Sequence, residues 1–239
     1  MDRTKEFLST LSHEIRTPLT SIKGFSKTIL DSYDNLSDEA KKKFINIILE
    51  QSKRLENLIE NALLAAQTNE EDVSLVFKKT DINLILNKSI ELVKMNYKGF
   101  LYNTKLNPNL YSALDTDKLE QVFVNVLDNA SKYSLNSNTV EITTETSAKE
   151  NIIKIKNYGA FIPEEEQSKI FDKFYRIDTY LTSKKQGSGL GLYIVKMLVE
   201  KMNGKITVQS ENTKVPYVEF IISFPVFEIE DFTKGAKVV

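Results

Sequence analysis

The chain holds a single histidine, His13, followed at once by Glu14 and, four residues on, by Thr17. An imidazole exchanges protons near neutrality, and its free ring nitrogen is a nucleophile. A carboxylate beside it can fix the tautomer through one nitrogen and leave the other open. Taken alone, one exposed histidine on a helix is ordinarily a surface residue. Two further sets of residues stand out. Asn125 and Asn129 are four apart, so on a helix they share one face, with Lys132 and Tyr133 a turn further. Gly187, Gly189 and Gly191 alternate ahead of the apolar run Leu192, Ile194, Val195, Leu198 and Val199. Such glycines let backbone N–H groups approach phosphate closely, and a helix N-terminus favours negative charge. The spacing is GxGxG, without the βαβ setting and later acidic residue that a dinucleotide fold requires.

These residues need elements to hold them. Leu8, Leu11, Ile15, Ile22, Phe25 and Ile29 step by threes and fours, with Pro18 in the series, which predicts a helix from about Thr4 to Tyr33. His13 falls on the far side of that seam and faces solvent. Thr17 shares its face. Pro18 removes a helical hydrogen bond to Glu14, should bend the helix there, and costs about 3 kcal/mol. Asp31 to Ser37 is a polar turn, with Ser37 the expected N-cap of a second helix reaching about Gln67. Its seam is Phe44, Ile48, Gln51, Leu55, Leu58, Ala62 and Ala65. Two helices with one narrow seam each bury little, so pairing two copies into a four-helix bundle is expected. An acidic link, 69–72, follows.

Beyond it the pattern changes. Strands are predicted at 73–77, 100–106, 110–114, 139–146, 151–157, 205–210 and 217–224, and helices at 81–97, 116–134, 163–172 and 190–203. The expected fold class is a helical hairpin followed by an α/β sandwich with a mixed sheet covered on one face. The domains are read as 1–68 hairpin, 69–79 linker, 80–226 α/β domain and 227–239 tail.

Composition narrows the function classes. The formal net charge is −1, which gives no nucleic-acid footprint and no polybasic membrane anchor. Zero cysteines exclude disulfides and thiolate chemistry, and one histidine argues against zinc. No apolar run of about 18 residues is present, so no membrane contact by this chain itself is expected. The seam begins within the first turns, so the chain is read as the cytoplasmic output half of a longer receptor anchored in the membrane through a preceding region.

The string SHEIRTPLTSI resembles the phosphoacceptor box of two-component sensor histidine kinases, and four later segments resemble their ATP-binding (Bergerat-fold) boxes in the same order. QVFVNVLDNASKYS implies Asn129 as the Mg²⁺ ligand, Asn125 as its helper, and Lys132 and Tyr133 as nucleotide contacts; an amide oxygen suits a hard ion. KNYGAFIPEEE puts Asn157 where the family has an aspartate that accepts a hydrogen bond from adenine, keeps Gly159, and puts Phe161 where a second glycine is usual. IFDKFYRID implies Phe171, Phe174 and Tyr175 as core, Arg176 at the phosphates, and 180–186 as a lid carrying Lys184 and Lys185. QGSGLGL implies Gly187, Gly189 and Gly191 as the cradle, with Leu190 and Leu192 also beside the nucleotide, as is Ile162 of KNYGAFIPEEE.

The resemblance implies ATP-dependent phosphorylation of His13, with Glu14 orienting the imidazole and taking its proton. The phosphoryl then passes to an aspartate of a response regulator receiver domain, and Thr17 positions water for dephosphorylating that regulator. The partners implied are a second copy of the chain and the regulator. Related ATPases carry a water-activating glutamate where this chain has Asn125, which favours a kinase over a free-standing ATPase. Asn157 and Phe161 predict ATP affinity weaker by about 1–2 kcal/mol and leave a degenerate kinase, signalling without catalysis, as the alternative.

Overall fold

In a computed structural model, residues 3–66, 74–134, 137–177 and 189–227 are described. The chain forms two compact units, a helical hairpin in one and every later element in the other.

The hairpin joins α1 (Arg3–Asp31) to α2 (Asp38–Ala66). Helix α1 runs on through Pro18 without interruption. Ser37 accepts the Ala40 N–H at 3.2 Å, the expected cap. Both seams are half-buried against each other, and the rings of Phe25 and Phe44 lie 5.2 Å apart. A second apolar row, which the heptad reading did not single out, stays exposed: Ile45, Leu49, Ile59 and Leu63 on α2, with Leu19 and Leu30 on α1. Among the described residues no helix is long and apolar enough to cross a membrane.

The second unit begins with β1 (Lys78–Asp81), α3 (Ile82–Lys94), β2 (Leu101–Lys105), β3 (Tyr111–Leu114) and α4 (Thr116–Lys132). The hairpin strands β4 (Thr139–Thr146) and β5 (Glu150–Tyr158) follow. After these come α5 (Glu164–Gln167), a 3₁₀ turn (Lys169–Phe171), α6 (Gly191–Lys201), β6 (Lys205–Glu211) and β7 (Tyr217–Pro225). Five strands form a mixed sheet in the order β2-β4-β5-β7-β6, parallel only between β2 and β4. Strands β1 and β3 form a separate antiparallel ribbon.

Strict alternation along β5 buries Ile153, Ile155 and Asn157 on one face while Lys154, Lys156 and Tyr158 line the other. Helices α3, α4 and α6 supply the opposing apolar faces, with Leu86, Ile90, Phe123, Val126, Leu127, Ile194 and Leu198 buried. Aspartates start α3 and α4: Asp81 accepts from Asn83 and Leu84, and Asp115 from Asp117 and Lys118.

Three expectations shift. The first strand falls at Lys78–Asp81 rather than 73–77; the described part of that apolar run is irregular, with the Val76 N–H bound to Asp115 Oδ2 at 2.9 Å. The helix expected at 163–172 is two short pieces, because adjacent Ile170 and Phe171 both bury and the chain tightens into a 3₁₀ turn to seat them. Phe227, assigned to the tail, donates to the Tyr111 carbonyl at 2.8 Å, and the Pro225 carbonyl accepts from Ser112 at 2.5 Å. These bonds tie the ribbon to the sheet.

Candidate active site

On α1, His13 is exposed and Glu14, one residue on, is only 8% exposed. Successive side chains on a helix diverge by about 100°, so they do not face each other. Among the described residues no hydrogen bond or ion pair joins Glu14 to the imidazole. The expected orienting contact is therefore not made in this conformation. Thr17 is exposed on the His13 face, and its hydroxyl donates to the His13 carbonyl at 3.2 Å.

In the second unit, the buried stripe of α4 faces the sheet, and Asn125, Asn129, Lys132 and Tyr133 lie half-buried along its edge. The Asn125 amide is held by its Nδ2, which donates to the Gln121 carbonyl at 3.0 Å. Its Oδ1 is thereby turned toward α6, where a Cβ added to Gly191 would lie 3.5 Å from it. The asparagine edge of α4 and the first turn of α6 thus adjoin. Lys132 Nζ sits 5.4 Å from the Tyr133 ring centroid. Behind this edge Tyr97 donates to Asp128 Oδ1 at 2.9 Å, and Tyr102 and Ser131 share a 2.8 Å hydrogen bond. Burial, then the charge of Asp128, pushes the Tyr97 phenol well up from its ordinary range, so it stays a donor.

Gly189 has φ +70°, a left-handed conformation that glycine adopts freely, and Leu190 is fully buried just ahead of α6. Leu192 is half-buried in its first turn. Helix α6 ends in a Schellman arrangement: Gly204 N–H to the Val199 carbonyl at 2.8 Å and Asn203 N–H to Glu200 at 3.0 Å, with Asn203 at φ +58°.

At the end of β5, Asn157 is 1% exposed, and its Nδ2 has no hydrogen-bond partner among the described residues. Gly159 takes φ +102° and donates to the Pro216 carbonyl at 2.7 Å. The loop after it is fastened by residues that the sequence reading passed over. Ile162 N–H donates to Ser210 Oγ at 2.8 Å, Ser210 Oγ donates to the Tyr217 carbonyl at 2.6 Å, and Gln167 bonds the carbonyls of Ile162 and Ser210. A Ser on a strand end and a Gln in an acidic helix carry no local signal of this role. Phe161 has no positive φ and is 43% exposed, so its position does not demand the glycine conformation that was expected to be lost.

Of the three aromatics expected in the core, only Phe171 is buried; Phe174 and Tyr175 are half-exposed. Phe174 takes φ +67°, a strained value for a bulky residue. Tyr175 instead hydrogen-bonds Glu166, whose carboxyl is held below its usual range first by that hydroxyl and then by Lys169. Arg176 is exposed. Lys184, Gly187 and the lid segment 180–186 lie outside the described residues, as do the link 69–72, Val73 and most of the tail. The side chain of Leu8 is also outside them.

The donor set fits a magnesium–nucleotide. Asn125 presents an amide oxygen at the N-terminus of α6, and Asn157 presents an unsatisfied buried donor. A small hard cation that keeps most of its waters needs only one or two such oxygens.

Residues 3–71 match the family described as His Kinase A (phospho-acceptor) domain. Residues 114–227 match the family described as histidine kinase-, DNA gyrase B-, and HSP90-like ATPase. The sensor protein SrrB of Staphylococcus aureus is 34% identical over 227 residues, which are 92% of this chain and 38% of that relative. The chain thus spans well under half the length of the curated relatives it matches. A solved histidine kinase, AdeS of Acinetobacter baumannii, superposes with TM-score 0.61 over 90% of this chain and 98% of its own, at 23% identity, a likeness of fold. The histidine kinase ThkA, solved in complex with the response regulator protein TrrA, gives TM-score 0.59 at 27% identity over 95% of this chain and 64% of that one.

Proposed function

The chain belongs to the two-component sensor histidine kinases, and we propose that it transfers the γ-phosphoryl group of ATP to His13 and from there to an aspartate of a receiver domain. The observation that carries this is the approach of Asn125 Oδ1 to Gly191, which brings the asparagine edge of α4 to the N-terminus of α6. A phosphate group needs this combination of N–H donors and a hard-ion oxygen.

In the first step, a ring nitrogen of His13 attacks the γ-phosphorus. The N–P bond forms as the bond to the β,γ-bridging oxygen breaks, and ADP leaves with that electron pair. The proton of the imidazolium passes to Glu14, which swings toward the ring by a rotamer change. In the second step, a receiver-domain carboxylate attacks the same phosphorus and the imidazole leaves. Asn129, assisted by Asn125, would hold Mg²⁺, which when bound neutralises charge on the phosphate oxygens. Lys132 and Tyr133 flank the nucleotide, with Ile162 and Leu192 beside it and Gly187, Gly189, Leu190 and Gly191 at the phosphates. Arg176 and Lys184 add positive charge there. Asn125 replaces a water-activating acid, so the γ-phosphoryl group is kept for the histidine.

We further propose that residues 1–68 dimerise, 69–79 link, and 80–226 bind nucleotide, in the cytoplasm where ATP and receiver domains are found. A second copy covering Ile45, Leu49, Ile59 and Leu63 would complete a four-helix bundle. Thr17, on the His13 face, positions the water that dephosphorylates the regulator. Incubation with γ-labelled ATP tests the central claim. The wild type should become labelled with acid-labile, alkali-stable phosphate, and His13→Ala should not, while binding nucleotide as before. Labelling of the alanine variant would remove His13 from the reaction.

A further inference from the structure

Strand β5 carries two buried asparagines on the same face, Asn151 at one end and Asn157 at the other, each 1% exposed. Asn151 is fully paired: its Nδ2 donates to the Tyr111 carbonyl at 2.9 Å and Ser112 Oγ at 3.0 Å, and its Oδ1 accepts from Thr146 at 2.8 Å. Asn157 stands in an apolar row, with buried Val140 and Val218 as its cross-strand neighbours, and its Nδ2 has no partner among the described residues. A buried N–H without an acceptor is rare and costly in a folded domain. The same residue type, strand, face and burial therefore give one satisfied amide and one orphan. The orphan lies two residues before Gly159, and the Tyr158 carbonyl between them accepts from Ser134, just past the α4 edge bearing Lys132 and Tyr133. It is at the rim of the site proposed above.

An orphan donor calls for an acceptor on the ligand. The adenine edge offers N1 as an acceptor beside the N6 amino donor. The edge of a 6-oxopurine offers O6 as an acceptor beside the N1–H donor. A carboxylate accepts only, so one held opposite the C6 substituent pairs with the adenine amino group and meets O6 with like charge. An amide carries one donor and one acceptor, and a half-turn about its last torsion exchanges them. We propose that Asn157 reads the purine edge through both amide atoms, so that the site takes 6-oxopurine nucleoside triphosphates beside ATP. This rests on the reading of the second unit as a nucleotide domain with Asn157 facing the base.

Calorimetric titration of the full chain with ATP and with ITP, each with Mg²⁺, tests it. Inosine differs from adenosine only along the edge in question. Wild-type Kd values for the two should lie within about tenfold, and Asn157→Asp should raise the ITP-to-ATP ratio by at least about tenfold. A wild type preferring ATP by more than about a hundredfold, or a ratio unchanged in Asn157→Asp, overturns the proposal while leaving the nucleotide domain standing. Failure of the wild type to bind either triphosphate would bring down the nucleotide reading itself, and the proposal with it. The wild-type comparison decides alone if the aspartate variant does not fold.

Discussion

Gly204 offers the sharpest test of how helix α6 is held. A Cβ there would lie 2.6 Å from the Ser223 carbonyl oxygen and 2.6 Å and 2.7 Å from ring carbons of Phe224. Real Cβ contacts are wider by most of an ångström, so something must move. Ser223 cannot, because β7 is paired on both sides, with Ile152 of β5 and Lys205 of β6 as its partners. Phe224 is fully buried, so its ring has no empty volume to enter. The strain must then fall on the Asn203–Gly204 joint, whose two hydrogen bonds close α6. Overpacking of this kind costs about 1–3 kcal/mol, and a carbonyl at its core puts Gly204→Ala at the upper end, about 3 kcal/mol. That corresponds to a fall in Tm of roughly 6–12 °C for a domain of this size. Gly24 is the control: it lies in mid-α1 with nothing within 4 Å of an added methyl, so its change to alanine should stabilise by about 0.5–1 kcal/mol. Scanning calorimetry of the full chain would measure both. A Gly204→Ala variant within about 1 kcal/mol of wild type would refute the reasoning, since it would mean the joint can yield.

Two more predictions bear on α1 and the sheet. Thr17→Ala should retain labelling by γ-labelled ATP but lose regulator dephosphorylation by at least about tenfold, with Thr17→Ser restoring it; unchanged phosphatase activity in the alanine variant would remove Thr17 from that role. Tyr158, on the open sheet face, donates to Glu141 Oε2 at 2.8 Å, and burial, then that bond, pushes its phenol up to about 12 from 10.0. The folded state prefers the neutral phenol, so its contribution is complete below the unfolded value and is lost as pH rises through the window from 10.0 to about 12. Alkaline unfolding followed by circular dichroism should show Tyr158→Phe losing less stability than wild type across that window; parallel curves would sink the assignment.

The helical hairpin was legible because its information is local. A seam such as Leu11, Ile15, Ile22, Phe25 and Ile29 repeats every turn, and Ser37 announces its own cap. The sheet strands were legible for the same reason, as β5 alternates without a break. The first strand was not. Lys78, Lys79 and Asp81 are charged, and only Thr80 is buried, its hydroxyl donating to the Leu114 carbonyl at 3.2 Å. A two-stranded ribbon needs little apolar surface of its own, whereas the greasier stretch before it attracted the assignment. Asp115 decides the matter with one carboxylate, capping α4 through Oδ1 and gripping Val76 through Oδ2, a link 39 residues long that no window of sequence contains.

The site divides along the same line. Residue types and order name Asn125, Asn129, Gly159 and the glycines ahead of α6, because those depend on what each side chain can do. The orientation of each group depends on long-range partners instead. Asn125 points its oxygen at Gly191 because the Gln121 carbonyl holds its nitrogen, a local bond that the four-residue spacing permits. Asn157 and Asn151 look alike in sequence, and only the arrival of β3 beside one end of β5 satisfies the one and leaves the other wanting. Glu14 shows the opposite limit. Adjacency to His13 suggested a contact that helix geometry denies to neighbours in the chain, so the proton transfer proposed above requires a rotamer change.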